Sequence, residues 1–159
     1  MKRALVVYHS LFGNTKTVAM SLARGLESAG IETNCLSVDE VDIQQIPTYD
    51  FLAIGSPTHM INTSNQMKAF LKKLTTISLR GMAGFCFDTR NESRMNKRSW
   101  LILENSAARR IESFMKRLKM KMLHPRQSAL VHGREGPLYP EFDQAFIETG
   151  SEIGQILNH

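Results

Sequence analysis

The sequence predicts a doubly wound α/β domain, with a single five-stranded parallel sheet covered by helices on both faces. Short, almost wholly apolar runs recur along the chain, each is followed by apolar residues at helical spacing, and no repeat or low-complexity segment interrupts the alternation. Strands buried on both faces of a parallel sheet read as continuous apolar runs, and a helix must cross between each pair. At 159 residues the chain is expected to form one domain, 1–159. That size buries roughly two-thirds of the unfolded surface without disulfide or metal staples.

The first strand spans 3–8 (RALVVY), and residues 15–29 follow with Val18, Leu22 and Leu26 on one helical face. The second, 31–38 (IETNCLSV), leads into 39–50, a loop or short helix whose length Pro47 limits. The third, 51–55 (FLAIG), precedes a helix over 65–76 carrying Met67, Phe70, Leu71 and Leu74. The fourth, 82–88 (MAGFCFD), precedes a helix over 104–123 carrying Ile111, Phe114, Met115, Leu118 and Met122. The fifth, 128–132 (SALVH), precedes a helix over 141–157 with Phe142, Phe146, Ile153 and Leu157.

Composition excludes several classes. No apolar stretch approaches the roughly 20 residues that span a bilayer. Met1-Lys2-Arg3 runs straight into a strand rather than a signal core. A cytoplasmic protein without membrane insertion is expected. Cys35 and Cys86 lie in apolar strand patterns, outside any C-x-x-C pair or metal-ligand spacing, and read as structural thiols with no metal site. Charge is uneven. Residues 90–126 hold eleven Lys or Arg against Glu92, Glu104 and Glu112, a surplus of eight in a chain whose net charge is +5. No aromatic stacking set or reading motif accompanies these cations, which argues against nucleic acid and leaves a merely solvated helix face, an acidic protein partner, or an anionic substrate or nicotinamide phosphate reaching Arg90 or Arg94.

In a doubly wound sheet the ligand crevice lies outside the carboxyl ends of the strands. The segments to inspect are therefore 9–16, 56–64 and 89–99. In the first, Gly13 permits close backbone approach, and Ser10, Asn14 and Thr15 add hydroxyl and amide groups to the N–H groups that open the next helix. These are the parts of a phosphate cradle. Helix capping uses the same residue types, and the residues alone leave both readings open. The spacing fits neither G-x-x-x-x-G-K-[ST] nor G-x-G-x-x-G, so a small monophosphate ligand suits it better than a nucleoside triphosphate or dinucleotide.

The stretch Ser10-Leu11-Phe12-Gly13-Asn14-Thr15 resembles the phosphate loop of flavodoxins, and Gly55-Ser56-Pro57-Thr58 resembles the start of that family's second flavin loop. Phe87-Asp88-Thr89-Arg90 and Gly133-Arg134-Glu135-Gly136-Pro137-Leu138 resemble segments of one flavodoxin-like branch. The resemblance covers most of the chain and implies strand order 2-1-3-4-5 and FMN as cofactor. It assigns the 5′-phosphate to Ser10, Phe12 (through its backbone N–H), Gly13, Asn14 and Thr15. Ser56, Pro57, Thr58 and His59 would lie along one side of the isoalloxazine, and Thr89 and Arg90 near its other edge. No acid, base or nucleophile is implied, because the chemistry resides in the flavin.

The expected function is an electron carrier between redox proteins, with a redox partner, acidic in character, docking near the basic segment 89–123. Arg90 and Arg94 would serve the flavin or that partner. Arg109, Arg110, Lys116, Arg117, Lys119 and Lys121 would supply long-range attraction. The alternative is a small FMN-dependent NAD(P)H or quinone oxidoreductase. Residues 56–65 contain no glycine. Many flavodoxins turn a glycine peptide toward flavin N5 there, so the absence suits two-electron chemistry. A third reading keeps the fold as a binding module acting through its basic face. Trp100 is either a cover for the flavin's exposed face or core packing.

Overall fold

The computed structural model describes residues 1–58, 63–91 and 106–159. Its elements are β1 (Arg3–Tyr8), α1 (Asn14–Ser28), β2 (Glu32–Ser37), a 3-10 helix (Ile43–Thr48), β3 (Phe51–Pro57) and α2 (Asn65–Leu74). They continue with β4 (Ala83–Asn91), α3 (Ala107–Arg117), β5 (Lys121–Met122), β6 (Gln127–Val131) and α4 (Glu141–Asn158). All paired strands run parallel in the order β2-β1-β3-β4, with β5 and β6 both on the far edge of β4. This is the predicted order with its fifth position divided in two.

Alternation along the strands divides the core. Ala4, Val6, Phe51, Ala53, Phe85 and Phe87 pack against Val18, Leu22 and Leu26 of α1 and Phe146 and Ile153 of α4. Leu5, Val7, Leu52, Ile54 and Cys86 face the other way, toward Met67, Phe70 and Leu74 of α2 and Ile111 and Met115 of α3. On the first face α1 and α4 cross at glycines. A Cβ at Gly25 would overlap the Ile147 carbonyl oxygen and lie 2.9 Å from the Cα of Gly150, and one at Gly150 would overlap the Leu22 carbonyl oxygen.

Two expectations are corrected. The helix predicted over 104–123 ends at Arg117, and Lys121–Met122 forms β5. Lys119 takes a left-handed φ of 64°. Its N–H and that of Met120 return to the carbonyls of Lys116 and Met115, closing the helix as a Schellman turn. Lys119 and Lys121 therefore lie off the helix. Among the described residues the sheet also has six strands rather than five. Between the pairs Gly84↔Met122 and Phe87↔Gln127, β4 contributes two residues and its neighbour four. Pro125 lies in the excess and has no N–H to offer a ladder.

Both thiols are free, with Cys86 buried and Cys35 half-buried. Burial pushes Cys35 up to about 11, with Glu27 and Glu40 adding to the effect. Iodoacetamide at pH 8 should therefore label Cys35 in the native protein roughly a hundredfold more slowly than an ordinary thiol. Equal rates in native and urea-unfolded protein would contradict this. Among the described residues no helix is long and apolar enough to cross a membrane, and no cluster of His, Cys, Asp or Glu could hold a metal.

Candidate functional site

The loop after β1 turns into α1 through Gly13, whose φ of 92° is left-handed and costs a non-glycine residue strain. A Cβ built there would meet nothing within 4 Å, so the requirement is conformational rather than steric. Ser10 Oγ accepts the Gly13 N–H at 3.0 Å, which tightens the turn ahead of the helix. Asn14 Nδ2 donates to the Glu135 carbonyl at 2.9 Å, and the buried hydroxyls of Thr15 and Thr89 lie 2.8 Å apart.

None of these side chains caps α1, and its first turn contains no acidic residue. Helices α2 and α3 are capped by side chains, whereas α4, like α1, is not. Ser64 Oγ accepts from Met67 N–H at α2, and Ser106 Oγ from Arg109 N–H at α3. Helix α4 places Glu141 and Asp143 in its first turn. The N-terminus of α1 thus presents its N–H groups and positive dipole end without a carboxylate to satisfy them, an arrangement suited to an anion.

The second loop is tied down at both ends. Ser56 is buried and its Oγ accepts the Ser64 N–H at 3.3 Å, closing the loop across its base. Thr58 N–H donates to the Thr89 carbonyl at 2.9 Å. The Thr58 hydroxyl donates to Asp88 Oδ2 at 2.6 Å and accepts the Ala107 N–H at 3.1 Å. It is therefore engaged by the scaffold. Pro57 pairs with Thr89 across β3 and β4, so first loop, second loop and β4 converge at Thr89. Arg90 is 3% exposed on β4, two residues beyond Asp88, and is not part of the surface cations. His59, Arg94 and Trp100 lie outside the described residues.

Asp88 was not singled out from the sequence. It is fully buried, its Oδ2 also accepts the Ala108 N–H at 3.3 Å, and among the described residues Oδ1 has no hydrogen-bond partner. Burial pushes its carboxyl above the usual range. The nearby hydroxyls of Ser128 and Thr58, the charge of Arg90 and the Ala108 N–H pull the other way. Only its place in Phe87-Asp88-Thr89-Arg90 could have signalled it. On the surface of α3, Arg109, Arg110, Ser113 and Arg117 line a cavity of about 340 Å³. Lys116 and Arg126 share the carboxylate of Glu112 at 3.3 and 3.0 Å.

A parallel sheet of this order, with an anion-ready helix opening directly after β1, defines the class to which the chain belongs. The flavodoxin family matches residues 6–148, and the protein is a member of it. It is 30% identical over 87 residues to a flavodoxin of Clostridium saccharobutylicum, covering 54% of each chain. It is 26% identical over 102 residues to an NAD(P)H dehydrogenase (quinone) of Cupriavidus metallidurans, covering 52% of this chain and 51% of that one. The match thus spans about half the length of these curated relatives. A solved flavodoxin from the domain Archaea has the same fold, with a TM-score of 0.81 at 23% identity over 99% of both chains.

Flavodoxins bind FMN, and FMN is the cofactor here. The donors present fit it. Its phosphate requires an acid-free, uncapped helix N-terminus with hydroxyl and amide groups beside it, and α1 is so furnished.

Proposed function

We propose that this protein carries electrons between redox proteins by means of bound FMN. The observation that carries the reading is the N-terminus of α1, which no side chain caps and no acidic residue in its first turn neutralises. FMN, when bound, supplies reversible uptake and release of electrons. Ser10, the backbone at Phe12 and Gly13, Asn14 and Thr15 hold its phosphate. Ser56, Pro57, Thr58 and His59 border one side of the isoalloxazine, with Thr89 and Arg90 toward the other edge. The docking partner is a redox protein with an acidic face, in the cytoplasm, attracted by the basic face that Arg109, Arg110 and Arg117 present.

Purified protein is expected to bind one FMN and to bind riboflavin at least a hundredfold more weakly. Two hydrogen bonds to the charged phosphate, about 1.5–3 kcal/mol each, account for that ratio. Fluorescence quenching measures both affinities, and equal affinity would overturn the phosphate assignment. The likeness to the NAD(P)H dehydrogenase (quinone) favours a second reading, an FMN-dependent reductase. Sustained NAD(P)H oxidation with a quinone present would establish it. For the carrier, no turnover is expected until a partner reductase is added.

A further inference from the structure

The segment after β6 folds back on itself beside the first loop. His132 N–H donates to the Pro137 carbonyl at 2.9 Å, Gly136 N–H to the His132 carbonyl at 3.0 Å, and Tyr139 N–H to the Leu130 carbonyl at 3.1 Å. Val131 and Leu138 form an antiparallel bridge, and the rings of His132 and Tyr139 stack 3.6 Å apart at their centroids. This turn is joined to the first residue of α1, where Asn14 Nδ2 donates to the Glu135 carbonyl. Gly136 packs so closely there that a Cβ would lie 2.6 Å from Asn14 Nδ2. Beside that junction Arg134 is exposed, its Cζ 6.0 Å from the ring centroid of Phe12 in the phosphate loop.

We propose that the turn 132–138 is a further wall of the phosphate site, with Asn14 as its latch and Arg134 as a cationic partner of the FMN phosphate. The inference rests on the FMN reading above. The side chains assigned to the phosphate from the first loop are neutral, so a phosphomonoester bearing close to two negative charges lacks a balancing cation among them. Lys16 lies toward the β2 side, where its charge is the smallest of the influences on Cys35, which burial raises, and on Glu40, which hydrogen bonds from Ser37 lower. Among the described residues Arg134 is held only by a ring contact at the outer limit of cation–π distance, which leaves its guanidinium available to a stronger anion. Because the turn touches Asn14 by backbone, its position and that of the cradle move together.

The test compares FMN and riboflavin affinities of Arg134→Gln, Arg134→Lys and the unaltered protein at low and at 0.5 M salt. Arg134→Gln is expected to weaken FMN about tenfold at low salt, leave riboflavin unchanged and reduce the salt dependence of FMN binding, while Arg134→Lys recovers part of the loss. Protection of the apoprotein against thermal unfolding by inorganic phosphate should also shrink in Arg134→Gln. Gly136→Ala, which pushes on the Asn14 side chain and must also hold a left-handed φ of 99°, should weaken FMN by shifting the latch. If the unaltered protein prefers FMN over riboflavin and Arg134→Gln changes neither affinity, or both equally, the inference fails while the FMN reading stands. A protein that does not discriminate FMN from riboflavin overturns both.

Discussion

Gly150→Ala is expected to destabilise the protein by about 2 kcal/mol net, lowering Tm by roughly 4–8 °C. The new methyl would overlap the Leu22 carbonyl oxygen and lie 2.9 Å from the Leu26 nitrogen, and both are backbone atoms of α1. No rotamer change relieves such a contact, so the helices must separate. Overpacking costs about 1–3 kcal/mol, and a clash with backbone on both sides falls at the upper end, about 3, against about 1 kcal/mol gained from replacing glycine within a helix. Gly25→Ala should cost a similar amount. The double variant should cost less than the two together, because the first substitution has already opened the crossing. Glu148→Ala, on the exposed side of α4, is the control and should stay within about 0.5 kcal/mol. FMN affinity should fall with stability in the glycine variants, since α1 carries the cradle. Unaltered thermal unfolding in both glycine variants would refute the close crossing.

Asp88→Asn should stabilise the protein, by an amount that grows with pH. In the unfolded chain this carboxyl titrates near 3.9. In the fold, burial raises its pKa, so the native state keeps its proton to higher pH than the unfolded state does. Its contribution is thus fully present below the unfolded pKa and is lost as pH rises through the folded one, at up to about 1.4 kcal/mol per pH unit between them. Asparagine does not ionise, and its carbonyl can accept the same Thr58 hydroxyl and Ala108 N–H that now reach Oδ2. The groups facing Asp88 do not titrate in this range. Thr58 and Ser128 are hydroxyls, Arg90 is a guanidinium, and the Cys86 thiol is itself pushed far up by burial. Denaturant unfolding of both proteins from pH 4 to pH 9 is the measurement. Parallel stability curves would show that the carboxyl is solvated as an ordinary one.

The sheet was legible because burial on two faces writes itself into sequence as unbroken apolar runs, and RALVVY and FLAIG admit little else. The end of α3 was not. Leu118 and Met122 satisfy helical spacing, while Leu118, Met120 and Met122 satisfy strand alternation equally well, and all three join one core. The deciding feature is a left-handed residue, and at that position stands Lys119 where a glycine would have announced it. In the candidate site, residue types exposed the first loop, since glycine, hydroxyls and amides near a helix start are a local pattern. Asp88 stayed hidden because an acidic residue at a strand end ordinarily marks a turn. Its burial depends on α3 docking over it from 20 residues away. The contact between Asn14 and Glu135 spans 121 residues, and only the folded chain brings the two together.

The divided strand at the edge of the sheet also bears on how this molecule meets copies of itself. An open strand edge is a template on which another chain can zip, and proteins blunt such edges with short segments, proline, bulges and positive charge. Here β5 is two residues long, and Pro125 interrupts the row of donors. The surplus residues are held to the body of the protein, His124 by its edge-on contact with the Phe85 ring and Arg126 by Glu112. Beyond them the turn after β6 folds over the upper end of the same strand through Leu130 and Val131. An incoming strand would find no long, straight run of free backbone to copy, so this border of the sheet resists self-association.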